Sequence, residues 1–159
     1  MPLYIPRNIK YSYTINNQTT YIKVQILTKR WIKGFEAAKK ASFLTDSKVQ
    51  SHRMGSAIFQ GSTLLSIGHN AYSKSKPGNS FIHNGKPHDK SLHAEQMAVD
   101  KIRHYEYTSK LIMYVVRLNS LGAYVCSKPC DMCIEYMRKY NITVVRFINN
   151  AGRPEELVL

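Results

Sequence analysis

No apolar run in the chain approaches the length that a membrane-spanning helix needs. The opening residues Met-Pro-Leu-Tyr-Ile-Pro-Arg lack the basic-then-apolar build of a secretory signal. Both absences lead to the expectation of an intracellular, cytoplasmic protein with no membrane partner. Cysteine is scarce: Cys126, Cys130 and Cys133 are the whole supply, and an odd number of thiols argues against a disulfide framework. Acidic residues are also few, ten against 23 Lys and Arg, for a formal net charge of +13. None of the ten precedes Glu36. Internal repeats and low-complexity tracts are missing, which excludes a solenoid or a long linker.

What is present is 159 residues with 43% hydrophobic content, enough for one compact domain with its own core. The basic balance either favours a polyanionic partner or serves solubility alone, since the charges are scattered rather than run together. Ile9–Ile15 and Thr20–Ile26 read as two strands around the turn residues Asn16-Asn17-Gln18, an N-terminal hairpin. Trp31, Ile32, Phe35, Ala38, Phe43 and Leu44 recur at helical spacing, which predicts a helix over 29–44. Met54–Phe59 and Thr63–Ile67 predict a second hairpin, and residues 71–90, rich in Lys, Ser, Asn, Gly and Pro, a long loop. A helix is expected from an N-cap at Ser91 to about His104, and a strand buried on both faces over Leu111–Leu118. Pro129 suits the first position of a helix reaching Tyr140, and Thr143–Ile148 reads as a further strand. Strands alternating with helices predict an α/β sheet covered on its faces.

Two motifs carry chemistry, His93-Ala94-Glu95 and Pro129-Cys130-Asp131-Met132-Cys133. Cys130 and Cys133 are three apart, so both thiols share one helical face and can grip one ion. A helix N-terminus lowers thiol pKa, and the thiolate is the form that binds metal. His93 can supply a third ligand, leaving a fourth tetrahedral position open, the layout of a catalytic zinc site. Glu95 can lie beside that metal without binding it, where a proton shuttle belongs. Either motif alone is weak evidence; the pair, each opening a helix, is specific.

His93-Ala94-Glu95 followed by Pro129-Cys130-x-x-Cys133 matches the signature of zinc nucleobase deaminases, and over residues 31–150 the chain resembles the cytidine and deoxycytidylate deaminase superfamily. The segments Gly55-Ser-Ala-Ile58 and Ser66-Ile-Gly-His-Asn70 contribute to the likeness. The resemblance implies a three-layer α-β-α fold with a mixed sheet of about five strands. It implies Zn2+ held by His93, Cys130 and Cys133, with Glu95 as the general acid and base, and substrate contacts at Asn70, Ala94, Ser127 and Lys128. Read from the residues alone, Asn70 only ends a strand, and Lys128 either adds potential for a substrate phosphate or is simply solvated. Residues 29–159 would form the deaminase domain and residues 1–28 an extension; a homo-oligomer is expected by analogy.

Three functions follow as expectations. The first is deamination of a free cytosine-type nucleotide resembling dCMP or CMP, the second deamination of a tRNA or single-stranded DNA, and the third a zinc-stabilised nucleic-acid-binding module without catalysis. Cys126 is extra, either a third thiolate in a closed structural zinc site or a loop residue nearby. In the long loop, His83 and His88 are either a second zinc pair or ordinary loop residues, and Tyr72 and Tyr124 either stack on a base or pack.

Overall fold

The computed structural model describes residues 12–15, 18–21, 27–45, 52–71, 81–83, 86–88 and 92–159. In chain order the elements are β1 (Ser12–Ile15), β2 (Gln18–Tyr21), α1 (Lys29–Ser42), β3 (Arg53–Gln60), β4 (Thr63–His69), β5 (Phe81–His83), β6 (Lys86–His88), α2 (Ala94–Asp100), β7 (Leu111–Leu118), β8 (Tyr124–Val125), α3 (Asp131–Lys139), β9 (Ile142–Ile148) and β10 (Pro154–Val158). The main sheet has six strands, ordered β10-β9-β7-β3-β4 with β8 pairing β7. All its ladders are antiparallel except β7 with β9. That pair is parallel because α3 carries the chain back between them. The expected mixed α/β sheet is thus present, with β8 adding a sixth strand to the five along the path.

Alternation along β7 shows why its sequence is apolar at every position but Arg117. Tyr114 and Val116 join Trp31, Phe35, Ala38, Ala57 and Phe59 in the core under α1. Leu111, Met113 and Val115 join Ile58, Ala98, Val99, Cys133, Met137 and Val145 in the core under α2 and α3. A strand covered on both faces needs no polar side. The layers are therefore α1, sheet, and α2 with α3. Thr28 caps α1 by accepting from the Trp31 N–H at 3.5 Å, and Phe35 meets the Tyr114 ring edge-on with centroids 5.4 Å apart.

Several boundaries differ from expectation. The helix after the long segment begins at Ala94, capped by His93 rather than Ser91, and ends at Asp100 rather than His104. Pro129 precedes the cap of α3, Cys130, instead of occupying the first helical position. The N-terminal hairpin pairs Ser12–Ile15 with Gln18–Tyr21, so Gln18 lies in β2 rather than in the turn, and residues 9–11 and 22–26 of the expected strands lie outside the described set. Residues 71–90 are not all loop: Phe81–His83 pairs with Lys86–His88. The intervening Asn84-Gly85 is a strong two-residue hairpin signal. Tyr72 lies outside the described residues, as do the side chains of His83 and His88, so the second-zinc expectation falls there too. β10 was not expected; its paired Glu155 and Glu156 hide its strand character.

Candidate metal centre

The starts of α2 and α3 converge at the same end of the sheet. His93 is the N-cap of α2, with φ −71° and ψ 149°, and Cys130 the N-cap of α3, with φ −71° and ψ 160°. Cys133 sits one turn into α3, on the same face as Cys130. His93 Nδ1 lies 3.2 Å from Cys133 Sγ and 3.7 Å from Cys130 Sγ. All three ligand atoms fall within 4.8 Å of one another. A tetrahedral zinc with ordinary Zn–N and Zn–S bonds separates such N and S atoms by about 3.6 Å. The donor set of one imidazole and two thiols thus fits zinc both chemically and in spacing.

The three donors are close enough to share protons with one another. The Cys130 thiol is pushed down to about 4, first because Cys133 donates to its sulfur and further by His93. Cys133 is held on its proton by that same bond and by burial, so its pKa is raised. His93 is raised, chiefly by its bond with Cys130. Glu95 is only 2% exposed, and burial raises its pKa. Its Oε2 is buried with no hydrogen-bond partner among the described residues. An orphaned carboxylate oxygen is costly to bury and marks a group held for a ligand.

Residues that the sequence reading missed hold α2 in place. Ser56 Oγ donates to Ala94 O at 2.7 Å, and Ser66 Oγ donates to Ala98 O at 2.8 Å, so two strand serines bind the backbone of α2. Gly68 lets the helix approach: a Cβ there would stand 2.0 Å from Ala94 O and 2.6 Å from Ala98 N. The pattern of small residues on β3 and β4 is the only sequence signal for this docking.

The expected substrate contacts occupy varied positions. Asn70 is buried, its Oδ1 accepting from Thr45 Oγ1 at 2.7 Å and Met54 N at 2.9 Å, and its Nδ2 donating to His52 O at 2.9 Å. Among the described residues the second Nδ2 hydrogen has no partner. Ala94 is fully buried at the start of α2. Ser127 Oγ donates to Val115 O at 2.7 Å and accepts from Ile148 N at 2.9 Å, clamping the loop before Cys130 onto β7 and β9. Lys128 is exposed on that loop. Cys126 is a half-buried free thiol, outside the cluster of His93, Cys130 and Cys133. Tyr124 packs partly into the core under α1.

Comparison with known proteins bears on the same region. The family described as cytidine and deoxycytidylate deaminase zinc-binding region matches residues 30–149. No curated protein matches the chain significantly in sequence. Among solved structures, a cytidine deaminase from Burkholderia pseudomallei aligns at 18% identity and TM-score 0.58, over 83% of this chain and 93% of its own. One from Mycobacterium leprae aligns at 16% identity and TM-score 0.53, over 81% and 94%. A dCMP deaminase from the cyanophage S-TIM5 aligns at 16% identity and TM-score 0.46, over 70% and 75%, too distant to carry an argument. At such identities, the first two establish the fold alone.

Proposed function

The chain belongs to the cytidine and deoxycytidylate deaminase zinc-binding family, and from that premise we propose that it is a zinc-dependent hydrolase converting a free cytosine-type nucleotide, of the dCMP or CMP kind, to its uracil form with release of ammonia. The observation that carries the reading is the buried, unpartnered Glu95 Oε2 beside a three-donor metal cluster. A purely structural metal site has no use for that carboxylate, which disfavours the non-catalytic module.

His93, Cys130 and Cys133 hold the metal, and zinc bound there supplies Lewis-acid activation of water, bringing its ionisation down toward about pH 7. Glu95 is the proton carrier: it accepts a proton from the attacking water and delivers it to N3 of the ring as C4 is attacked, then takes the proton of the new C4 hydroxyl and delivers it to the departing amine. Water enters, ammonia leaves, and the carboxyl ends as it began. Its burial suits the role, since a raised carboxyl pKa lies nearer the operating pH. Ala94 and Ser127 shape the floor of the site through backbone positions, Asn70 offers its second Nδ2 hydrogen, and Lys128 adds positive potential. Residues 29–159 form the catalytic domain, and residues 1–28 extend it; a homo-oligomer is the expected assembly.

The net charge of +13 favours a second reading, action on a polynucleotide. Incubating the zinc-loaded protein with dCMP, CMP, cytidine and a single-stranded cytosine-containing oligonucleotide, and reading products by mass, tests the proposal. Replacement of the amine by oxygen in a free nucleotide is expected. Conversion of the oligonucleotide alone, or of nothing, overturns it.

A further inference from the structure

Arg117 is the one charged residue of β7. Its neighbours on the same face, Met113 and Val115, belong to the core under α2 and α3, so the guanidinium stands on the side of the sheet that carries the metal cluster. Its Nε is buried without a hydrogen-bond partner among the described residues, and its Nη2 lies 3.0 Å from His52 Nδ1. Guanidinium can only donate, so His52 Nδ1 accepts, and a neutral His52 then carries its proton on Nε2 as a donor. The two groups border a cavity of about 550 Å³ that Asn119, Tyr124, Cys126 and Asn149 also line. No carboxylate is among its described lining residues.

The asparagines are turned the same way. Asn119 Oδ1 accepts from Leu121 N at 3.0 Å and Ala123 N at 2.9 Å, and Asn149 Oδ1 from Ala151 N at 2.9 Å and Arg153 N at 3.0 Å. With their oxygens committed to their own turns, what they can offer a ligand is N–H, although one Asn149 Nδ2 hydrogen already goes to Glu155 Oε2 at 3.2 Å. A concavity of donors around an unsatisfied cation takes an anion, and its volume falls in the range of small-molecule sites rather than of a lone ion.

The cavity adjoins the metal cluster. Cys126 lines it and Cys130 follows four residues later, a reach of at most about 14 Å of extended chain. On the other side, the His52 carbonyl accepts from Asn70 Nδ2, and the next residue, Ala71, exchanges two backbone hydrogen bonds with Leu92, which precedes His93. A nucleoside monophosphate carries its base at one end and its phosphate at the other. We propose that Arg117 and His52 form the subsite for the phosphate monoester of the nucleotide whose base lies at the metal cluster, a specificity device that rests on the deaminase reading above.

The test uses the zinc-loaded full chain and its Arg117→Met, Arg117→Lys and His52→Gln variants. Two readouts are taken: kcat/KM for dCMP against deoxycytidine, and calorimetric affinity for dUMP against deoxyuridine. Wild type prefers the phosphorylated member of each pair. Arg117→Met reduces that preference about 10- to 100-fold, the value of charge-assisted hydrogen bonds, and Arg117→Lys restores part of it. His52 is exposed, so His52→Gln keeps the fold while reducing the preference several-fold. Inorganic phosphate competes with dCMP. Wild-type turnover of dCMP and deoxycytidine at equal efficiency overturns the subsite and leaves the deaminase reading standing. An equal loss on both substrates in Arg117→Met marks a structural role, and phosphate binding that leaves dCMP undisturbed marks a separate effector site; either overturns the proposal. Absence of any turnover, with an Arg117-dependent preference for dUMP intact, supports the subsite while the deaminase reading falls.

Discussion

Gly68→Ala separates the docking of α2 from general stability. The added Cβ would meet Ala94 O at 2.0 Å, Ala98 N at 2.6 Å and Ser56 Oγ at 2.9 Å. Two of these are backbone atoms of the helix that begins just after His93, so relief requires α2 to retreat by more than 1 Å, from 2.0 Å to the 3.4 Å where ordinary contact begins. Overpacking of this kind costs about 1–3 kcal/mol, roughly 3–10 °C in Tm for a chain of this size. The retreat also strains the Ser56 and Ser66 bonds and carries His93 away from Cys130 and Cys133. A misplaced ligand weakens a metal site, so zinc affinity should fall about 10- to 100-fold. Gly55→Ala is the matched control, because its Cβ would meet Ala38 O at 1.9 Å, on the α1 side of the sheet. Thermal unfolding and zinc competition with a chromophoric chelator are measured for both. The reasoning predicts that both variants lose stability and only Gly68→Ala loses zinc. Wild-type zinc affinity in Gly68→Ala, or an equal loss in Gly55→Ala, would refute it.

Two further outcomes follow. Stripping zinc with a chelator should lower Tm by about 10 °C, the stabilisation expected of a ligand held far above its Kd. Readdition should restore it, and Cys133→Ser should respond to neither step; a chelator-insensitive wild type would contradict the metal assignment. Tyr114 is 1% exposed, and burial raises its phenol pKa. Its folded pKa exceeds its unfolded one, so its contribution is fully present below about pH 10. The contribution is lost as pH rises toward the folded value, because the unfolded chain ionises first. Tyr114→Phe should therefore flatten the alkaline decline seen in chemical denaturation, while giving up the bond from Arg146 Nη1 at 2.5 Å; an unchanged alkaline limb would remove Tyr114 as its source.

The metal cluster was legible because its information is local. The two Cys are one helical turn apart, His93 and Glu95 are two residues apart, and each pair opens a helix. Periodicity likewise announced α1 and β7, whose apolar positions have no other use. Ser91 and Pro129 misled by their capping chemistry: His93 and Cys130 hold the cap positions instead, where the cluster converges. The docking of α2 was invisible because Ser56 and Ala94 are 38 residues apart, and nothing in either neighbourhood names the other. β10 gains strand character from pairing with β9 rather than from its own polar sequence. Arg117 escaped notice inside an apolar run, where only the folded chain reveals a cavity beside it.

The central claim is that Glu95 moves the protons of a deamination at a metal held by His93, Cys130 and Cys133. Glu95→Gln tests it most directly, measured for zinc content and for conversion of dCMP beside the wild type. The account predicts full zinc occupancy in both proteins, uracil product from wild type, and a loss of at least about 100-fold in the variant, the scale of general acid–base catalysis. Wild-type turnover in zinc-loaded Glu95→Gln would contradict it.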